Sequence, residues 1–418
     1  MNTITRRQFL RQTGAGLATA AIAPSVIATA AEQSGLKLTP AAEIEERVRA
    51  ARPLLGGTIP QDLSNRLGAT HYGSHYYFTK KPFIVEGAEQ IHKLGMGVAK
   101  LWLHEDKLIG YDYNSDWGIP LDGRLVTLLR HPYYREAFAL PFHTIILEVF
   151  PLVGNKQTAL DPGSDYANEE EQFREAAAHL LEIYAQRDVT FILQNWEGDW
   201  MLRHNERSGW DKTPADEVKR RSETFVRFLA ARQRGVERAR KEAGQTKCKV
   251  YHAAEVNRVW DGTKGQGTVT THVLPHVAVD LVSWSSYDGA DSAVGLWQGI
   301  ELIRQHMQPS PVFGQKTVYI GEIGRPENMG ATEPDIIEWW DRAMGVFFAM
   351  NIPWIVHWEL YCNEPKDGKK FERHVRKTEE MRGFWLIRPD GSLSYAGKYL
   401  TKLLQNAGKP LPGALERK

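Results

Sequence analysis

Thr317-Val318-Tyr319-Ile320-Gly321-Glu322-Ile323-Gly324-Arg325 reads as a buried strand that ends in an acid held between two glycines. The next apolar pattern, 333–350, has the helical period, with Pro334 in a first turn where its missing N–H costs nothing. A second short apolar run, 354–358, follows directly. Strand, helix, strand at this spacing is a parallel βαβ unit.

Working outward from that unit, six more apolar runs precede it: 67–71, 98–103, 144–150, 189–195, 249–254 and 281–285. Helix-period stretches at 169–187, 214–243 and 293–307 separate the later ones, and a last helix is expected at 395–405 after Pro389-Asp390-Gly391. Eight such repeats predict a single-domain α/β (β/α)8 TIM barrel spanning 61–410, with a doubly wound open sheet as the weaker reading. An amphipathic stretch within a leader, 31–60, precedes it.

Residues 1–30 read as an export address. Thr5-Arg6-Arg7-Gln8-Phe9-Leu10 resembles the twin-arginine motif. A weakly apolar, Pro24-broken stretch and the small-x-small site Ala28-Thr29-Ala30 follow. This predicts a folded protein delivered to the periplasm or beyond by the twin-arginine machinery, without a membrane span.

Composition excludes several partners. Lys+Arg is 52 against 51 Asp+Glu, which gives no electrostatic case for nucleic acid or an anionic membrane. Cys248 and Cys362 are too few for a disulfide framework. They are expected unpaired, because the strand map puts them at opposite ends of the barrel, roughly 17–20 Å apart, against the roughly 4.4–6.8 Å a disulfide allows. No dinucleotide fingerprint, Walker loop or nucleophile elbow occurs, and no cofactor or metal is expected.

In a TIM barrel the chemistry gathers at the C-terminal strand ends. Acids there are Glu148, Glu197, Glu255, Glu322 and Glu359, with His71, His104 and His357 beside them. Counting by twos, Val318, Ile320 and Glu322 share one face, so Glu322 is expected to point into the barrel. By the same count Phe191, Leu193, Asn195 and Glu197 share a face. That would stack an amide over a carboxyl, with Trp196 and Trp200 as sugar-packing rings. Seven of the 13 tryptophans fall at or beyond strand ends, as platforms for a glycan or as pins for the loops.

Gly321-Glu322-Ile323-Gly324, an acid after strand four, and His357-Trp358-Glu359 together resemble the retaining clan-A glycoside hydrolases, nearest the family-five cellulase and mannanase group. Gly383-Phe384-Trp385, Pro389-Asp390-Gly391 and Tyr395-Ala396 resemble the ending of those barrels. The resemblance implies Glu197 as general acid/base and Glu322 as nucleophile. It further implies Tyr287 bonded to that nucleophile, Trp358 as sugar floor, and Asn195 as hydroxyl binder. His71, from its strand-end position, is expected in the substrate site. In that clan the acid follows its asparagine directly, whereas Trp196 intervenes here. Either a local bulge absorbs it, or the acid is another, Asp199 or Glu255. Two rival readings stand beside this one. The first is a metal-dependent sugar isomerase or hydrolase using Glu197, Glu255, His252 and Glu359. The second is a catalytically silent carbohydrate-binding barrel.

Overall fold

The structure, a computed structural model, describes residues 36–412 apart from 119–121, 153, 155–157, 162, 205–207 and 367–376. The expected export address therefore lies outside the described residues. Eight parallel strands close into a barrel in chain order. They are β1 (Leu67–Thr70), β2 (Val98–Trp102), β3 (Thr144–Glu148), β4 (Thr190–Gln194), β5 (Lys249–Val256), β6 (Leu281–Ser285), β7 (Val318–Ile323) and β8 (Ile355–His357). Pairing of Leu67 with Ile355 and Ala69 with His357 completes the ring.

Helices of eight or more residues are α1 (Ala41–Ala51), α2 (Phe83–Lys93), α3 (Pro132–Ala139), α4 (Ala167–Ile183), α5 (Ala215–Ala243), α6 (Ala293–His306), α7 (Glu333–Ala349) and α8 (Tyr395–Gln405). Their starts follow from the sequence. Thr332 and Asp335 form a reciprocal capping box at α7, Ser292 caps α6, and Ser394 caps α8. α1 buries Ile44 and Val48. The chain after it is tied to α7, where Asp341 accepts from Arg52 Nε at 2.6 Å, from the Leu54 N–H and from the Tyr399 hydroxyl of α8. The leader and the last helix thus share one buried carboxylate.

Strand alternation sorts side chains into two sets. Val98, Ile146, Ile192, Ala253, Leu281, Tyr319 and Val356 form an apolar layer inside the barrel. Phe191, Leu193, Val318 and Ile320 belong to the outer core under the helices. Two residues further along, the inner set changes character: Val98 gives way to Lys100, Ile146 to Glu148, Ile192 to Gln194, Ala253 to Glu255 and Leu281 to Ser283. The mouth of the barrel is therefore charged above an apolar plug.

This arrangement corrects the parity read from the sequence. Val318 and Ile320 face the helices, so a regular strand would have carried Glu322 outward with them. Tyr319 pairs with Ser283 and Ile320 with Trp284, but Ser285 pairs with Glu322, which skips Gly321. A β-bulge at Gly321 shifts the count by one and brings Glu322 inward.

Cys248 precedes β5 and Cys362 follows β8, and both are buried, free thiols. No helix among the described residues is long and apolar enough to cross a membrane.

Candidate active site

Lys100 is the centre of the charged layer. Its ammonium lies 2.8 Å from Glu148 Oε2, 3.3 Å from Glu255 Oε1 and 3.6 Å from Glu322 Oε2. Burial works against its charge, but the carboxylates of Glu148, Glu255 and Glu322 together hold it well above the ordinary lysine value. Lys100 is thus a fixed cation from β2 aimed at the end of β7.

Glu322 is 6% exposed. Burial pushes its carboxyl well above the usual carboxylate range; Lys100 opposes this, while Glu197, Glu255 and Glu148 push in the same direction as burial. Its Oε2 accepts no hydrogen bond among the described residues. An acid in this setting holds a proton readily and gives it up when a positive charge develops beside it.

Glu197 stands opposite, past the end of β4. Its φ is +21°, an uncommon value for a residue with a Cβ, and it opens the short helix Gly198–Leu202. The strand therefore stops at Gln194, and a tight turn, rather than continued alternation, swings Glu197 into the mouth. Ser285 Oγ donates to Glu197 Oε1 at 2.9 Å, and Ser285 is also the register partner of Glu322. Ser285 thus adjoins both residues, its side chain bonded to Glu197 and its backbone in register with Glu322, and the Glu197 charge acts on the Glu322 carboxyl.

Tyr287 follows β6. Burial raises its phenol well above the ordinary value, and the charges of Glu322, Glu364, Glu197 and Glu359 add to this, in that order. Its hydroxyl makes no hydrogen bond among the described residues. The bond to the nucleophile that the resemblance implies is therefore not formed, although the phenol stands within the field of four carboxylates. Trp358 lies at the end of β8, and its indole N–H donates to Glu364 Oε1 at 3.1 Å. Arg382 holds the other oxygen of Glu364 at 2.6 Å.

Several expected site residues do other work. Asn195 is fully buried, and its amide bridges strands: Oδ1 accepts from the Glu255 N–H and Nδ2 donates to the Glu255 carbonyl. It ties the end of β4 to β5, and its Nδ2 also donates to the Trp196 carbonyl, so both amide protons are spent within the protein. His71 is also fully buried, bonded to the Phe83 carbonyl at 2.9 Å and packed edge-on against Phe83 and Tyr361. Burial lowers it to about 4, so it is a neutral core histidine rather than a substrate ligand. His252 of the metal reading bonds Gln233 of α5 on the helix side, away from inward-facing Glu255, so that set does not converge.

The tryptophans mostly pin loops. Trp196 stacks on Phe150 at 5.8 Å, Phe150 on Trp102 at 4.9 Å, and Trp102 on Tyr72 at 4.1 Å. Each ring comes from the end of a successive strand, β1 to β4, and each is at most 7% exposed. Trp210 donates to the Gly267 carbonyl at 2.7 Å. Trp200 is half-buried, with the guanidinium groups of Arg203 and Arg258 over its ring. Of the rings proposed for sugar packing, Trp200 is the more exposed, whereas Trp358, at 6%, is as buried as Trp196.

The fold and the mouth define a closed (β/α)8 barrel with paired carboxyls at its C-terminal end. Solved structures that the chain resembles share that architecture. A GH5_18 protein from Bifidobacterium longum subsp. longum matches with TM-score 0.51 at 17% identity, covering 81% of this chain and 78% of that one. The GH39 enzyme from Xanthomonas axonopodis pv. citri matches with TM-score 0.52 at 12% identity, over 86% of this chain and 69% of that one. An alanine variant of the B. longum protein, solved in complex with Manb1-4GlcNAc, matches with TM-score 0.50 at 16% identity, over 83% and 79%. At these identities the likeness speaks for the fold. No protein-family profile and no curated protein matches the sequence.

Lys100 was not anticipated. Its signal was a lone charged residue inside the apolar run Val98-Ala99-Lys100-Leu101-Trp102.

Proposed function

We propose that this chain is an exported glycoside hydrolase that cleaves an O-glycosidic bond of a poly- or oligosaccharide by a retaining two-carboxylate mechanism. The observation that carries this reading is the Glu197–Ser285–Glu322 arrangement at the barrel mouth, with Lys100 beneath Glu322. Its kinship of fold with glycoside hydrolases agrees with it.

In the first step a Glu322 oxygen forms a bond to the anomeric carbon as the glycosidic C–O bond breaks. Glu197 gives its proton to the departing oxygen. In the second, water loses a proton to Glu197 and attacks the anomeric carbon, releasing Glu322. Two acids that repel each other hold one proton between them more readily than none, which suits a pair needing one neutral and one ionised member. Lys100 favours the ionised form at Glu322, and the positive charge that develops on the sugar ring favours it further.

The test begins with aryl glycosides, β-mannosides first, because a neighbour of like fold was solved with Manb1-4GlcNAc. Glu322→Ala should lose turnover by several orders of magnitude, and azide should restore it as a glycosyl azide of inverted configuration. Glu197→Ala should spare the first step on substrates with good leaving groups, since these need little protonation. Azide there should give a product of retained configuration. Near-normal kinetics for Glu322→Ala would sink the assignment, whereas binding of glycans without turnover by the wild type would favour a silent carbohydrate-binding barrel.

A further inference from the structure

Glu255 belongs to the charged row at the barrel mouth, and its carboxylate is fully engaged. Oε1 accepts from Gln194 Nε2 at 2.9 Å, from Ser283 Oγ at 2.9 Å and from Lys100 Nζ at 3.3 Å. Oε2 accepts from the backbone N–H of Glu197 at 2.9 Å. All four partners are donors, which leaves the carboxyl no role for a proton of its own.

Those four bonds connect the two proposed catalytic groups. The Glu197 N–H belongs to the residue with positive φ, so Glu255 holds in place the turn that brings the acid into the mouth. Lys100 is kept where it meets Glu322 by Glu148, by the Gly321 carbonyl and by Glu255. The bulge is shaped to the same network. A Cβ at Gly321 would fall 1.9 Å from Ser283 Oγ and 2.9 Å from Glu255 Oε1. Glycine stands there because the network fills the space.

We infer that Glu255 is a positioning residue for the hydrolytic reaction, setting the place of Glu197 through its backbone and that of Glu322 through Lys100. This rests on the hydrolase reading above. It also carries a charge consequence. Glu322 is faced by Lys100 from β2, Glu148 from β3, Glu197 beyond β4, Glu255 from β5 and Tyr287 beyond β6, and the charges of Glu364 and Glu359 reach Tyr287. Removing the Glu255 charge withdraws one repelling neighbour, so the Glu322 carboxyl should release its proton at lower pH.

The experiment pairs kinetics with carboxyl titration. Protein carrying 13C-labelled glutamate is titrated by NMR, with the two resonances assigned by their disappearance in Glu322→Gln and Glu197→Gln. In Glu255→Gln, kcat should fall roughly 10²-fold with KM within about twofold, as expected for misplacement of reacting groups. The Glu322 titration should move to lower pH. Glu255→Asp keeps the charge but shortens the arm, so that titration should stay near wild type while kcat still falls. An unmoved Glu322 titration or unchanged kcat in Glu255→Gln would overturn the inference. If that variant does not fold, Ser283→Ala removes one donor to Glu255 at normal melting temperature, and an unchanged kcat there would overturn it. A wild type that cleaves no glycoside would refute the hydrolase reading, and the titration arm alone would then decide whether Glu255 acts on the Glu322 carboxyl.

Discussion

Tyr287 shows how a single hydroxyl can be useless to the fold and needed by the reaction. Its ring is held edge-on by Phe384 at 6.2 Å, while the hydroxyl is buried without a hydrogen bond among the described residues. A buried donor left unmade destabilises a protein, so Tyr287→Phe should melt at the same temperature or higher. If the hydroxyl serves the nucleophile once a sugar ring arrives, the same variant should lose turnover by about 10²-fold, as removal of one oriented donor does elsewhere. Thermal melts and kcat on an aryl glycoside measure the two effects separately. Equal losses of both would make Tyr287 an ordinary core residue. Trp358 is the complementary case, because Glu364 and Arg382 already fix its indole.

At the scale of the element, the bulge in β7 decides which way the chemistry points. Gly321→Ala would drive a methyl group against Ser283 Oγ, and overpacking of this kind costs about 1–3 kcal/mol. The heavier cost should fall on activity, because the bulge that turns Glu322 inward can no longer form around the added atom. Combining it with Ser283→Ala removes the nearest clash and should recover part of the lost turnover. Measuring the four proteins as a double-mutant cycle checks this, and strictly additive losses would contradict it. The bulge also explains what could be read from sequence and what could not. All eight strands are legible as short apolar runs, and α4, α5, α6, α7 and α8 as helix-period stretches. The inward face of Glu322 was expected for the wrong reason, since a bulge arises from pairing with β6 and not from residues 317–325 alone. Asn195 and His71 share what a sequence does not display: backbone groups of neighbouring elements engage these polar side chains at the strand ends. Lys100 was overlooked, although aligning the strands by their inner rows would have set it beside Glu148, Gln194, Glu255 and Ser283.

Across the whole molecule, the order of folding and export becomes a testable matter. A twin-arginine route carries chains already folded. The closed ring of strands, with leader and last helix joined at Asp341, is a body that should pass through it intact. Replacing Arg6 and Arg7 with lysine should leave a folded, protease-resistant precursor in the cytoplasm. Cell fractionation followed by limited proteolysis reads both properties, and unchanged export would remove the twin-arginine proposal. The rim of the same body has an optical side. Tyr72, Trp102, Phe150 and Trp196 lie nearly parallel, with interplanar angles of 15°, 25° and 16° along the series. Rings so close and so aligned exchange electronic excitation. Ultraviolet light absorbed at Tyr72 should pass to Trp102, 4.1 Å away between ring centroids. The part of the near-ultraviolet circular dichroism that Trp102→Phe removes from the wild-type spectrum should therefore report on the alignment of these strand ends beside Glu197, without any attached dye.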